Sequence, residues 1–164
     1  MVREVVLPDG VPGRLLLDGM PGRHEALPRT WTELTSHGVD TIICLAEPNE
    51  IAAASPAYAQ ALDRGTIPYE IVGHPIPDFG VPSDRGAFWS LAAAVADRLR
   101  AGDVLLLHCR AGIGRTGTLA VCILVALGLA ADAAHQGVER AGSRPETTAQ
   151  RDLIRWCAAR AAAP

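Results

Sequence analysis

An α/β domain with a central, largely parallel sheet follows from three features of this sequence. Val39–Leu45 (VDTIICL) and Val104–His108 (VLLLH) are near-continuous apolar runs of strand length, as in parallel strands covered on both faces. Helical patterns lie between and beyond them, so strands and helices alternate. The 164 residues, 49% hydrophobic and 20% charged, fill one core and leave no room for a second, so residues 1–164 are expected to form one domain.

Taken in chain order, Arg14–Asp18 reads as a strand running into the turn GMPGR, and Thr30–His37 as a short helix opened by a capping box of Thr30 and Glu33. After the strand Val39–Leu45 comes a helix over Pro56–Arg64, with Ser55 as N-cap and proline at the first helical position. Ile67–Val72 is the third strand candidate. Ser83–Arg100 sets Phe88, Trp89, Leu91, Ala92, Val95 and Leu99 at helical spacing. The strand Val104–His108 is followed by three helices around 115–128, 131–141 and 147–160, and an Ala-rich tail, Ala158–Pro164, is expected to fray. Trp31, Trp89 and Trp156 fall within helical patterns and are assigned to the core. In such sheets ligands bind beyond the carboxyl ends of the strands, where a loop enters a helix.

Composition removes several classes of function. All 15 basic residues are Arg, which excludes Schiff-base lysine chemistry and Walker-type nucleotide loops. A net charge of −3 and a pI near 5.9 argue against a nucleic-acid partner. The start, MVREVVLPDG, has too few apolar residues for a signal peptide, and Leu119–Ala131 is too short to cross about 30 Å of hydrocarbon. Four cysteines without CxxC spacing and five scattered histidines without HExxH point to reduced thiols in a cytoplasm, and neither metal nor cofactor is expected.

The segment HCRAGIGRTG, His108–Gly117, joins the last apolar strand to an apolar helix. The composition gives this set of fixed residues by chance roughly once in a hundred thousand. A loop curling into a helix N-terminus turns its amides inward, so Arg110, Ala111, Gly112, Ile113 and Gly114 form a cradle for a phosphate dianion, with Gly112 and Gly114 free to take positive φ. Arg115 offers a planar guanidinium for two phosphoryl oxygens. A thiol in that field, Cys109, is favoured as thiolate and aimed at phosphorus. Thr116 is placed to donate to the sulfur and His108 to bond the loop backbone.

This segment resembles the phosphate-binding loop of the protein tyrosine phosphatase superfamily, His-Cys-x5-Arg-Ser/Thr-Gly, at every fixed position. IPDFGVP (Ile76–Pro82) is similar to that family's mobile general-acid loop, with Asp78 on its acid. ETTAQ (Glu146–Gln150) resembles the loop that positions the hydrolytic water. Glu146 stands where the large tyrosine-specific enzymes carry Gln, so the resemblance leaves Gln150, Glu146 or Asp78 alone to order that water. Without the length and aromatic clamp of those enzymes, the chain looks like a small dual-specificity phosphatase, acting on phosphorylated protein or peptide through a phosphocysteine. The alternatives within the resemblance are a phosphoinositide phosphatase, disfavoured because only Arg110 adds to the loop's charge and Ile113 is apolar, and an RNA 5′-triphosphatase, disfavoured because an acidic chain without lysine offers little attraction to RNA. A catalytically dead phospho-binding module lacks support, since Cys109, Arg115 and Asp78 are all present; redox control would pair Cys44 with Cys109.

Overall fold

The computed structural model describes residues 1–163. Its strands are β1 (Arg3–Val5), β2 (Arg14–Asp18), β3 (Thr41–Cys44), β4 (Glu70–Gly73) and β5 (Val104–His108). The helices are α1 (Leu27–Ser36), α2 (Pro48–Ala54), α3 (Pro56–Asp63), α4 (Arg85–Ala101), α5 (Gly114–Ala126), α6 (Ala131–Arg140) and α7 (Thr148–Ala162). The strands form one sheet in the order β1-β2-β5-β3-β4, parallel except for β1, which pairs antiparallel with β2 at the edge. The predicted α/β class and largely parallel sheet are thus found, and β5 occupies the centre.

Strand periodicity explains the layers. Leu15, Leu17, Leu105 and Leu107 point to one face, under α4, α5, α6 and α7, while Leu16 and Leu106 point to the other and meet Leu34 of α1. Every residue of α5 from Gly114 to Val125 is buried, so its apolar surface runs all round, as a helix enclosed by neighbours requires. The register places His108 beside Asp18 on β2 and Cys44 on β3, so three carboxyl ends meet where the β5–α5 loop leaves the sheet.

Several local expectations need correction. The first helix begins at Leu27, not Thr30, because Pro28 falls in its opening turn; Thr30 lies inside the helix, and no capping box forms there. Ser55 does precede α3, but its side chain caps nothing. The expected strand at Ile67–Val72 is β4, displaced to Glu70–Gly73, and α4 starts at Arg85 because the Asp84 carboxylate accepts the Ala87 N–H at 2.9 Å. Strand β1 and helix α2 were not anticipated. All three tryptophans pack at the margins of the core and remain partly exposed. Ala158–Ala162 continue α7, and Pro164 lies outside the described residues. No helix among the described residues is long and apolar enough to cross a membrane.

Candidate active site

Beyond β5 the chain turns through residues 109–113 into α5. Gly112 takes φ +72°, and a β-carbon there would lie 2.2 Å from the Asp18 carbonyl oxygen, so glycine is required twice over. Gly114 does not adopt positive φ. A β-carbon there would lie 2.2 Å from Glu146 Oε2, so a larger residue would push the Glu146 carboxylate aside. The loop is fastened from outside: Met20 N–H and Arg23 Nη1 both donate to the Arg110 carbonyl, at 3.0 and 3.2 Å. Arg3 Nη2 and Ser143 Oγ donate to the Gly112 carbonyl, at 2.7 and 2.5 Å.

Above the loop lies a cavity of about 260 Å³ lined by Cys109, Arg110, Ala111, Gly114 and Arg115, with Arg23, Asp78, Phe79 and Glu146 around it. A larger, shallower hollow of about 750 Å³ on the outer face of α1 contains none of these groups. Cys109 is only 3% exposed and sits at the base of the smaller cavity. Among the described residues no cluster of His, Cys, Asp or Glu is arranged to hold a metal ion.

Arg115 is 2% exposed, and a buried guanidinium needs partners. Glu50 of α2 takes Nη1 and Nη2 together, each at 2.7 Å. The Ile76 carbonyl accepts from Nη1 at 2.9 Å, and Asp78 Oδ1 from Nη2 at 2.8 Å. These hydrogen bonds hold the Glu50 carboxyl below its ordinary range. Glu50 occupies the end of the fork, whereas Nε–H and the outer N–H of Nη2 form the side edge. Asp78 covers half of that edge.

His108 is fully buried, and burial pushes its titration down to about 4, so the ring is neutral. Its Nδ1 lies 3.0 Å from the Cys109 carbonyl, which can only accept; Nδ1 therefore carries the hydrogen, and Nε2 accepts from the Tyr58 hydroxyl at 3.0 Å. The expected bond from His108 to the loop backbone is present. Thr116 departs from expectation: its buried Oγ1 has no hydrogen-bond partner and makes no bond to Cys109 Sγ. Cys44 is buried, and desolvation raises its thiol to about 11.

The loop carrying Asp78 and Phe79 forms another part of the cavity wall. Asp78 Oδ1 also accepts the Phe79 N–H at 3.1 Å, and Phe79 holds φ +58° while its ring stands 60% exposed at the cavity mouth. Glu146 presents its carboxylate at the first turn of α5, where the helix dipole favours it. Gln150 is turned away to backbone work. Its Oε1 accepts from Glu146 N at 2.7 Å and from Thr147 N at 3.3 Å, the latter completing a capping box with Thr147, and its Nε2 donates to the Gly80 carbonyl at 3.1 Å. It links the Asp78 loop to α7 and does not line the cavity.

The structure therefore brings together Cys109, Arg110, Ala111, Gly114, Arg115, Asp78 and Glu146, with His108, Gly112, Ile113 and Thr116 behind them. Arg3, Arg23, Glu50, Tyr58 and Ser143 were missed from the sequence. Only Glu50 left a usable signal, as an acidic residue shortly after the apolar strand VDTIICL.

A family model described as "PTP-SAK: Swiss Army Knife protein, DSP-PTPase phosphatase domain" matches residues 11–163. Cyclin-dependent kinase inhibitor 3 of Rattus norvegicus is 41% identical over 54 residues, covering 33% of this chain and 25% of that protein, so the chain aligns with only a quarter of that relative. The crystal structure of kinase associated phosphatase with its catalytic cysteine replaced by serine superposes with a TM-score of 0.82 at 20% identity, covering 100% of this chain and 97% of that one, and shares the fold. Tk-PTP in its active form gives a TM-score of 0.71 at 28% identity, covering 92% and 95%.

Proposed function

Because the chain belongs to the PTP-SAK family of DSP-PTPase phosphatase domains, we propose that it hydrolyses phosphomonoesters of protein or peptide substrates through a phosphocysteine on Cys109, as a single catalytic domain working in the cytoplasm. The observation that carries this reading is the convergence of Cys109, Arg115 and Asp78 on one small cavity at the N-terminus of α5. A phosphate dianion enters the cradle and takes the side edge of Arg115, displacing Asp78 from Nη2 while Glu50 keeps the end of the fork in place. The Cys109 sulfur attacks phosphorus as the bond to the leaving oxygen breaks, and the freed Asp78, protonated, gives its proton to that oxygen. Water then attacks phosphorus, Asp78 takes its proton, and the thiolate leaves with its electron pair. Glu146, at the cavity wall, is better placed than Gln150 to orient that water. The unpartnered Thr116 hydroxyl is the donor available to the thiolate.

One observation favours a second substrate class. Arg23 joins Arg110 at the cavity mouth, so two guanidiniums rather than one flank the scissile position. This supports substrates carrying a second anionic group, whether a doubly phosphorylated peptide or a phosphoinositide headgroup. Redox trapping by Cys44 gains no support, since a thiol raised to about 11 is protonated at neutral pH. The test is turnover of an aryl phosphate after exhaustive EDTA treatment, followed by parallel assays on phosphopeptides and phosphoinositides. Metal-independent turnover is expected; activity lost to EDTA and restored by Zn²⁺ or Mg²⁺ would overturn the mechanism.

A further inference from the structure

Arg3 stands 109 residues before Gly112 in the chain and outside every motif identified in the sequence. On the edge strand β1 its backbone pairs with β2, which makes no demand on its guanidinium. Yet that guanidinium reaches the underside of the catalytic loop. Nη2 donates to the Gly112 carbonyl at 2.7 Å, and Nη1 donates to the Gly142 carbonyl at 2.6 Å, to Ser143 Oγ at 3.2 Å and to the Ala141 carbonyl at 3.4 Å. Ser143 Oγ gives the Gly112 carbonyl its second hydrogen bond, at 2.5 Å.

We propose that Arg3 is a positioning residue for phosphate binding, acting through the Gly112 carbonyl; the inference rests on the reading of residues 109–115 as the phosphate cradle. The reason lies in peptide geometry. The Gly112 carbonyl and the Ile113 N–H belong to one planar trans peptide and point in opposite directions, so fixing the oxygen outward aims the N–H inward. Glycine at this position, with φ +72°, leaves the chain freer than any other residue would to rotate that peptide. Rotated, it would present carbonyl lone pairs to a phosphate dianion. Two donors on one oxygen select the amide-inward state. They also polarise the peptide, which strengthens its N–H as a donor. Arg3 itself does not line the cavity, so any effect on the substrate passes through the loop.

The experiment compares Arg3→Met, Arg3→Lys, Ser143→Ala and Val5→Ala in the full chain. It reads the thermal midpoint, kcat and KM on an aryl phosphate, and inhibition by inorganic phosphate well below the midpoint. Arg3→Met is expected to weaken phosphate inhibition and lower kcat/KM by about tenfold to a hundredfold. Arg3→Lys should recover part of this, because a single ammonium cannot hold the acceptors at 112 and 142–143 in one fixed fork. Val5 is a buried neighbour on the same strand whose side chain makes none of these hydrogen bonds, so Val5→Ala should lower the midpoint and leave the kinetic constants unchanged. Should Arg3→Met not fold, Arg3→Lys and Ser143→Ala carry the test, and both must weaken phosphate inhibition. A lowered midpoint with unchanged constants in the Arg3 variants, or an equal kinetic loss in Val5→Ala, would overturn the inference alone. A wild-type protein that neither turns over aryl phosphate nor is inhibited by phosphate would overturn it together with the phosphatase reading.

Discussion

Two arginines tie the same three strands together at opposite ends of the sheet. Arg98 gathers the ends at which β3, β4 and β5 begin: its Nη2 donates to Thr41 at 2.7 Å, its Nη1 to Glu70 at 2.9 Å and its Nε to Asp103 at 2.6 Å. Arg115 gathers the segments into which the same strands run: Glu50 after β3, Ile76 and Asp78 after β4, and its own helix after β5. Arg98 is one-third exposed and uses all three of its nitrogens on protein acceptors. Arg115 is buried, and one of its partners, Asp78, is a 44% exposed carboxylate on a loop containing a residue in left-handed conformation. Similar chemistry makes a fastening at one end and a site at the other. On the proposed mechanism the difference is that one partner of Arg115, the exposed Asp78, gives way to the substrate phosphate.

Replacing each arginine in turn with lysine separates the two roles. Arg115→Lys should lower kcat/KM by about 10³-fold or more, since a point charge cannot hold Glu50 and a transferring phosphoryl group together. Arg98→Lys should leave the kinetics unchanged and cost only about 1 kcal/mol of stability in urea unfolding. Equal kinetic losses would show that Arg115 acts as a brace only.

Asp78→Asn comes next, with an expected loss in kcat of about 10²–10⁴-fold that shrinks as the leaving group becomes more acidic. The basic limb of the pH–rate profile should flatten in this variant and persist in Glu146→Gln. The reverse pattern would move the acid to the 146–150 loop.

Smaller again is Glu50→Gln, which leaves the buried guanidinium with a neutral partner. We expect a stability loss of about 3 kcal/mol and a fall in kcat/KM smaller than that of Asp78→Asn. The pair also has a pH signature. Glu50 titrates below its ordinary value in the folded chain, so its contribution is complete above the unfolded value near 4.5 and fades as pH falls through the folded one. Unchanged stability at neutral pH would show that Glu50 does not hold Arg115.

His108 gives the smallest kinetic expectation and a distinct pH window. Between its ordinary value of 6.5 and about 4 in the fold, the unfolded chain binds a proton that the folded ring refuses, so stability rises with pH across that interval. Replacing His108 with Asn should flatten this dependence by about 3 kcal/mol. An unaltered slope in urea unfolding between pH 4 and 7 would mean that the buried ring is already protonated.

The loop was legible in the sequence because it is made by consecutive residues: one segment, His108–Gly117, supplies the strand end, the loop, the proposed nucleophile, the guanidinium and the helix start. Strand β5 was bounded correctly for the same reason, since its five apolar or terminal residues are flanked by a turn on one side and the loop on the other. Asp78 was found through the local pattern IPDFGVP. Tyr58, Arg3, Arg23 and Ser143 escaped notice because they join the site only through tertiary contacts and no local pattern marks them, while Glu50 had only its place shortly after the strand VDTIICL to single it out. The first helix shows how a local rule loses to a stronger one. Thr30 and Glu33 fit the capping-box spacing, but Pro28 sets the start of the helix earlier and leaves the threonine buried inside it.

The covalent step can be observed directly. Wild-type protein mixed with an aryl phosphate, quenched in acid during turnover and subjected to intact-mass and peptide spectrometry, should carry one phosphoryl group on Cys109. Cys109→Ser should carry none and show no turnover, while still binding vanadate. Turnover retained in Cys109→Ser, or a phosphoryl group found on any other residue, would contradict the assignment of Cys109 as the nucleophile.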